Sequence, residues 1–336
     1  MKRTLVCLSA VCFIVISFAM NNIPKNALAA EKEILMRMGQ MNPHHDDYVM
    51  SIGIQFLGNR IEELTDKVKV EIHEGTLGPE RQITEGVQLG TVQAGIVTPA
   101  TLGMFIKEMG LLNLPLVFKS WEHAFSVLDG PFGDTLKEKA LQKGFRIIGW
   151  WGMGAKCAFT NVPIKNMADF SGVKIRCMES PEPLALYKAY GAVPVPMAFP
   201  EVYAALQQGV VDGVDCEYAG CWMAKIQEVT KYVTELNHIF IFIVPTVSEK
   251  WFKNQPDDVK MAILQAGMES EKVCREFMTD SNMRARKRWE KYGTEIYEPE
   301  DIEKFRDIGK KIWPNFYERA GKENIDWVIN VGKRYK

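Results

Sequence analysis

From residue 31 onward, stretches of period-two hydrophobicity alternate with stretches recurring at three and four, which predicts an α/β protein. Val68, Val70 and Ile72 alternate with Lys67, Lys69 and Glu71, the signature of a half-buried strand. Ahead of it, Ile54, Leu57, Ile61 and Leu64 mark one face of a helix that Asp46 or Asp47 is placed to cap. Residues 145–151 and 173–178 read as further strands, and 239–244 as an apolar strand buried on both faces. Pro181 and Pro183 suit a helix start and Gly191 its end, while 201–208 reads as a helix stopped by Gly209.

One predicted element is out of proportion. Residues 257–292 contain no proline and only Gly267, and Gly293 stops them. At ~1.5 Å per residue this is a rod of about 50 Å, longer than one domain is wide. The apolar positions keep no strict heptad, so the helix is expected to lie across two lobes rather than in a coiled coil. Two lobes sharing a helix leave a cleft, where small ligands bind.

Composition narrows the classes. The chain of 336 residues is 25% charged and 47% hydrophobic, globular rather than disordered, and long enough for two packed domains. A net charge of −1 argues against non-specific nucleic-acid binding. At the amino terminus Lys2 and Arg3 precede an apolar run from Leu5 to Met20, then the small residues Ala27, Ala29 and Ala30. That order reads as a cleaved secretory signal over residues 1–30. Its removal takes away Lys2, Arg3 and Lys25 and no acid, and the net charge becomes −4. The expected product is exported and soluble. Five cysteines then remain, Cys157, Cys177, Cys216, Cys221 and Cys274, with no CxxC, so buried free thiols are expected.

Along residues 173–178, Lys174 and Arg176 fall on the face opposite Val173, Ile175 and Cys177. An arginine on a rigid strand suits a carboxylate, because its planar fork makes two parallel charge-assisted hydrogen bonds. Lys156 adds a candidate point charge. By pattern alone, Arg176 also fits an internal salt bridge, less well, and Lys156 fits a solvated surface as well as a site. No GxSxG, HExxH, P-loop or full GxGxxG is present. Cys216 with His238 has no third group to orient it, so no enzyme is expected.

The segments SGVKIRCMES, YGAVPVPMAFPEVYAALQQGVVDGVD and EVTKYVTELNH resemble the solute-binding proteins (DctP family) of tripartite ATP-independent periplasmic (TRAP) transporters. EIHEGTLGPERQITEGVQLGTVQAGI and LNLPLVFKSWEHAFSVLDG add to the likeness, which spans nearly all of residues 31–336. It implies a two-lobed periplasmic-binding-protein-like α/β fold with a long helix bridging both lobes. The expected division is 31–153 plus 242–281 for lobe I and 154–241 plus 282–336 for lobe II. It also implies a periplasmic receptor, expected as a monomer, that closes on a small organic acid and delivers it to a membrane permease driven by an ion gradient. No cofactor and no nucleic acid enter that picture.

By motif match, the family's carboxylate clamp falls on Arg176. Its second basic position, usually arginine, falls on Lys156 in AKCAFTNVPI, which keeps the charge and loses the fork. Phe199 matches an aromatic that packs on ligand, or else a core residue. The polar position after "DG-e" falls on Cys216, and Glu217 stands where proline is common. An acid there would favour a ligand carrying an amine or several hydroxyls, unless Glu217 points to solvent. Asp215 and Glu217 are the ligands to watch in a metal-assisted binder of a hydroxy or keto acid, the alternative reading. Gln40, Thr98 and one of the adjacent Trp150 and Trp151, here Trp151, complete the expected wall. His238 is expected as a hydrogen-bonded structural histidine.

Overall fold

The computed structural model describes residues 33–335; the expected leader lies outside them. Among the described residues twelve strands form two sheets. In chain order the first five are β1 (Ile34–Gln40), β2 (Val68–Glu74), β3 (Ala94–Val97), β4 (Phe145–Ile147) and β5 (Trp151–Ala155). The chain continues with β6 (Cys157–Thr160), β7 (Lys174–Cys177), β8 (Val193–Pro196), β9 (Gly213–Cys216), β10 (Tyr232–Thr234), β11 (Phe240–Ser248) and β12 (Glu295–Tyr297). The first sheet has the order β2-β1-β3-β11-β4, with β5 also on β11; the second runs β12-β10-β6-β9-β7-β8.

Both sheets are mixed. β1 and β3 run parallel, as β7 does with β8 and with β9, whereas β11 is antiparallel to β3, β4 and β5. The chain passes between the sheets at Lys156 and again through residues 235–239. The two passages are bonded to each other, Lys156 N donating to Ile239 O at 2.9 Å. β11 is the solidly apolar strand that the sequence predicts; from Ile241 to Ser248 every residue is buried. Such burial on both faces fits a strand covered by helices on either side.

The long helix is Asp257–Tyr292, as its proline-free run predicts, and Gly293 ends it at φ 97°. Thirty-six residues correspond to about 54 Å. It packs on helix Val49–Leu64 beside the first sheet, on β5, and on helix Tyr218–Met223, which leaves β9 of the second. The carboxyl-terminal helices also touch both sides: Ile302–Lys311 lies on Pro181–Ala189, and Lys322–Gly332 on Trp121–Leu128.

Two expectations are corrected. Residues 145–151 are not one strand, because β4 and β5 pair with different ends of β11 and the chain must step between them. That step is held by Ile148 N on Pro245 O and by Trp150 N on the Glu271 carboxylate at 2.7 Å. Nor does Asp46 or Asp47 cap Val49–Leu64, whose N-cap is Tyr48 with no side-chain bond. Asp47 instead pairs with Arg284 and Arg288 of the long helix. The five cysteines of the described chain are buried and unbridged.

Gly267 is where the long helix meets the step between β4 and β5. A Cβ there would lie 2.4 Å from Ile148 O, a backbone atom that cannot move aside cheaply. Gly→Ala at an open helix position gains up to about 1 kcal/mol. At this one, overpacking reverses the sign, and Gly267→Ala is expected to cost about 1–3 kcal/mol in urea unfolding. A stabilised variant would show that helix and step are not in close contact.

Candidate functional site

A cavity opens where strands of both sheets end. Thr98 and Thr101 reach it from the end of β3, Met178 and Arg176 from β7, Phe199 after β8, and Cys216 from the end of β9. Met153 of β5 and Ile241 of β11 line it from the crossing strands. The carboxyl ends of parallel strands are the usual ligand position in open α/β sheets, because side chains there converge without breaking the ladder.

Arg176 is the charge this geometry leaves available. Its guanidinium is held by one bond, Nε donating to Met197 O at 2.9 Å, and lies 5.4 Å from the centre of the Phe199 ring. Among the described residues Nη1 and Nη2 have no hydrogen-bond partner, and the side chain lines the cavity. The residue as a whole is 4% exposed. The salt-bridge reading of Arg176 therefore finds no carboxylate in ion-pair contact with it among the described residues.

Lys156 behaves differently. Its Nζ donates to Asp215 Oδ2 at 2.6 Å, with both side chains buried, and it is not on the cavity wall. Asp215 also accepts from Tyr187 Oη at 3.1 Å, and His238 Nε2 lies 3.1 Å from its Oδ1. Lys156 stands in one passage between the sheets and His238 in the other, so a single carboxylate draws both passages together. Burial alone would push the Asp215 carboxyl up. The Lys156 ammonium and the His238 ring outweigh it and hold the group well below the carboxylate range. Asp215 reaches the cavity wall with its charge already balanced.

Glu217 does not face the cavity or the solvent. It is fully buried as the N-cap of Tyr218–Met223, where its Oε1 accepts from Gly220 N at 2.8 Å. With no cation beside it, burial pushes its pKa far up. Asp215 and Glu217 are thus both engaged elsewhere, and among the described residues no group of three His, Cys, Asp or Glu is arranged to hold a metal ion. The Cys216 thiol on the wall is shifted down, by a hydrogen bond from Cys221 first, against burial, with the Arg176 and Lys156 charges adding.

Gln40 is likewise off the wall. Its amide joins Ser51 and Glu74 at 3.2 and 2.9 Å, and the next residue, Met41, lines the cavity instead. Trp150 and Trp151 are both fully buried and neither lines it. Trp151 is drawn between Val49–Leu64 and the long helix, its Nε1 donating to Ser270 Oγ at 3.0 Å.

A buried acid on the wall that the sequence did not single out is Glu80. It opens helix Glu80–Leu89 after Pro79, and its Oε1 accepts from Thr98 N at 2.7 Å, Thr98 Oγ1 at 2.6 Å and the Thr101 hydroxyl. Burial pushes this carboxyl up; the threonine bonds and the Arg176 charge only partly offset that. A glutamate after Gly78-Pro79 at a helix start was the available signal. The Met-rich wall, with Met104, Met153, Met178 and Met197, had no signal in a chain with 17 methionines spread along it.

Two α/β halves around a cavity, joined by paired crossings and one long helix, define a bilobed solute-binding protein. Comparison with known proteins fixes the family. Residues 42–320 match the family described as "Bacterial extracellular solute-binding protein, family 7" (DctP). A relative, the C4-dicarboxylate-binding periplasmic protein DctP of Rhodobacter capsulatus, is 31% identical over 79% of this chain and 83% of that protein. The sugar acid binding protein DctPAm of Advenella mimigardefordensis, solved with galactonate, superposes with a TM-score of 0.86 at 29% identity, covering 91% of this chain and 99% of that one. A TRAP periplasmic solute-binding protein of Sulfurospirillum deleyianum, solved with succinate, gives 0.84 at 29% identity, covering 89% and 99%. The chain belongs to this family, whose members are solute receptors.

The engaged state of Glu217 has a pH signature. Its folded pKa is raised above the ordinary 4.5, so its contribution is fully present below about pH 4.5 and drains away as pH rises toward the folded value. Glu217→Gln keeps the acceptor for Gly220 and removes the drain. The variant's urea midpoint is expected to gain on the wild type between pH 5 and pH 8; a constant difference would place Glu217 in a solvated site.

Proposed function

We propose that this chain is the extracytoplasmic receptor of a TRAP transporter, holding a small organic carboxylate on Arg176 between its lobes. The observation that carries the reading is a guanidinium with two unengaged nitrogens at the wall of a cavity built from both sheets. A buried cation without an acid is costly, and a ligand carboxylate supplies the missing partner through a two-bond fork. Thr98, Phe199 and Cys216 complete the wall around it. Lys156 and Asp215 hold the crossings in place, and Glu217, Gln40 and Trp151 support the shell behind it.

The lobes in this reading are 31–153 plus 242–281 and 154–241 plus 282–336, closing about the crossings at Lys156 and His238. A cleaved leader over residues 1–30 exports the chain to the periplasm, where it works as a monomer. Family membership supports delivery to a membrane permease driven by an ion gradient, with no catalysis and no cofactor. Among the described residues no helix is long and apolar enough to cross a membrane.

Losing one side of a buried charged pair costs ~2–5 kcal/mol. Arg176→Ala is therefore expected to weaken binding of the bound acid about 30-fold to several-thousand-fold by calorimetry. Arg176→Lys should recover part of it, since charge is kept and the fork is lost. A loss under threefold with unchanged melting of the free protein would remove Arg176 from the site.

A further inference from the structure

The rest of the ligand must meet the rest of the wall, and that wall offers little to a polar molecule. Five methionines, Met41, Met104, Met153, Met178 and Met197, line the cavity with Phe199. Thioether and aromatic side chains adapt to apolar shapes and offer no strong hydrogen bond. Nearly all the polar groups among them are already committed. Both threonine hydroxyls donate to Glu80, and Tyr48 Oη donates to Met153 Sδ at 3.0 Å. Asp215 is filled by Lys156, Tyr187 and His238. Arg81 and Glu179 are exposed and the Cys216 thiol is turned onto Glu217 at 3.5 Å, so beyond the two Arg176 nitrogens the buried part of the wall leaves one Glu80 oxygen, enough for a single hydroxyl.

A second carboxylate has nowhere to go. The Lys156 ammonium is spent on Asp215. Arg81, the other arginine at the cavity, is 63% exposed in its side chain and paired with Glu85 at 2.9 Å, outside the buried part. Glu80 and Glu179 on the wall would repel a second negative charge. The space sets the size of the ligand and not its polarity. The cavity of about 70 Å³ corresponds to roughly five to seven waters at about 10–15 Å³ each.

We infer that the cargo is a compact branched monocarboxylate, apolar beyond its carboxyl end and bearing at most one hydroxyl next to it. This rests on the receptor reading above and narrows it. It departs from the galactonate and succinate seen in the two related structures, a polyhydroxy acid and a diacid. Each hydroxyl buried without a partner weakens binding by about 5- to 150-fold, so a chain of them is excluded by this wall.

The test is calorimetric titration of the full exported chain with acids of similar size. 3-Methylbutanoate and 2-hydroxy-3-methylbutanoate are set against succinate and erythronate. The expected result is that at least one branched acid binds ten times tighter than either polar acid. Should succinate or erythronate bind as well or better, the apolar assignment falls and the receptor reading stands. Should none of the four bind, the apolar assignment falls, and the receptor reading falls with it if a wider panel of organic acids also fails.

Discussion

The arrangement of this molecule depends on one buried carboxylate. Asp215 sits at the end of β9 and takes the ammonium of Lys156 at 2.6 Å from one passage between the sheets, with His238 of the other passage at 3.1 Å. Ionised groups leave water only when matched, and replacing one member of such a set leaves the others stranded at a cost of about 3–5 kcal/mol. The pair therefore fixes where the two passages lie relative to β9, and with them the strands β5 and β11 that line the cavity. It also settles the charge of the site. With Lys156 neutralised by Asp215, Arg176 is the buried cation left over among the described residues.

Geometry and family then converge without either standing in for the other. The cavity lies at the carboxyl ends of β3, β7, β8 and β9, where loops are free to carry side chains inward. The long helix touches elements beside both sheets and limits how they can move past one another. Two relatives of the same fold were solved with galactonate and with succinate bound. The wall of this chain is rich in thioethers, with its hydroxyls turned onto Glu80. A shared fold fixes where a ligand sits, and local side chains fix which one.

Much of the architecture was legible because it follows from periodicity. The 36-residue helix announced itself by a missing proline and a terminal Gly293, and β11 by an unbroken apolar run. The strand that carries Arg176 to the cavity was legible because it is short and stands within a specific motif. The partners of Lys156 and Glu217 were not legible for one reason: sequence reports a charge and not its partner. Lys156 is 59 residues from Asp215, and only the pairing of β6 with β9 brings them together. Glu217 faces inward because its carboxylate caps the helix that follows, a local bond that the neighbouring Tyr218-Ala219-Gly220 permits. Gln40 and Trp151 alternate correctly along their strands, but the helices covering those strands take the faces that they present.

The central claim is a division of labour between two cations, one spent on the frame and one kept for the cargo. A crystal structure of the exported protein with its bound acid tests it most directly. The account predicts a carboxylate gripped by both terminal nitrogens of Arg176, with Lys156 still on Asp215. A carboxylate resting on Lys156, with Arg176 turned away, would contradict it.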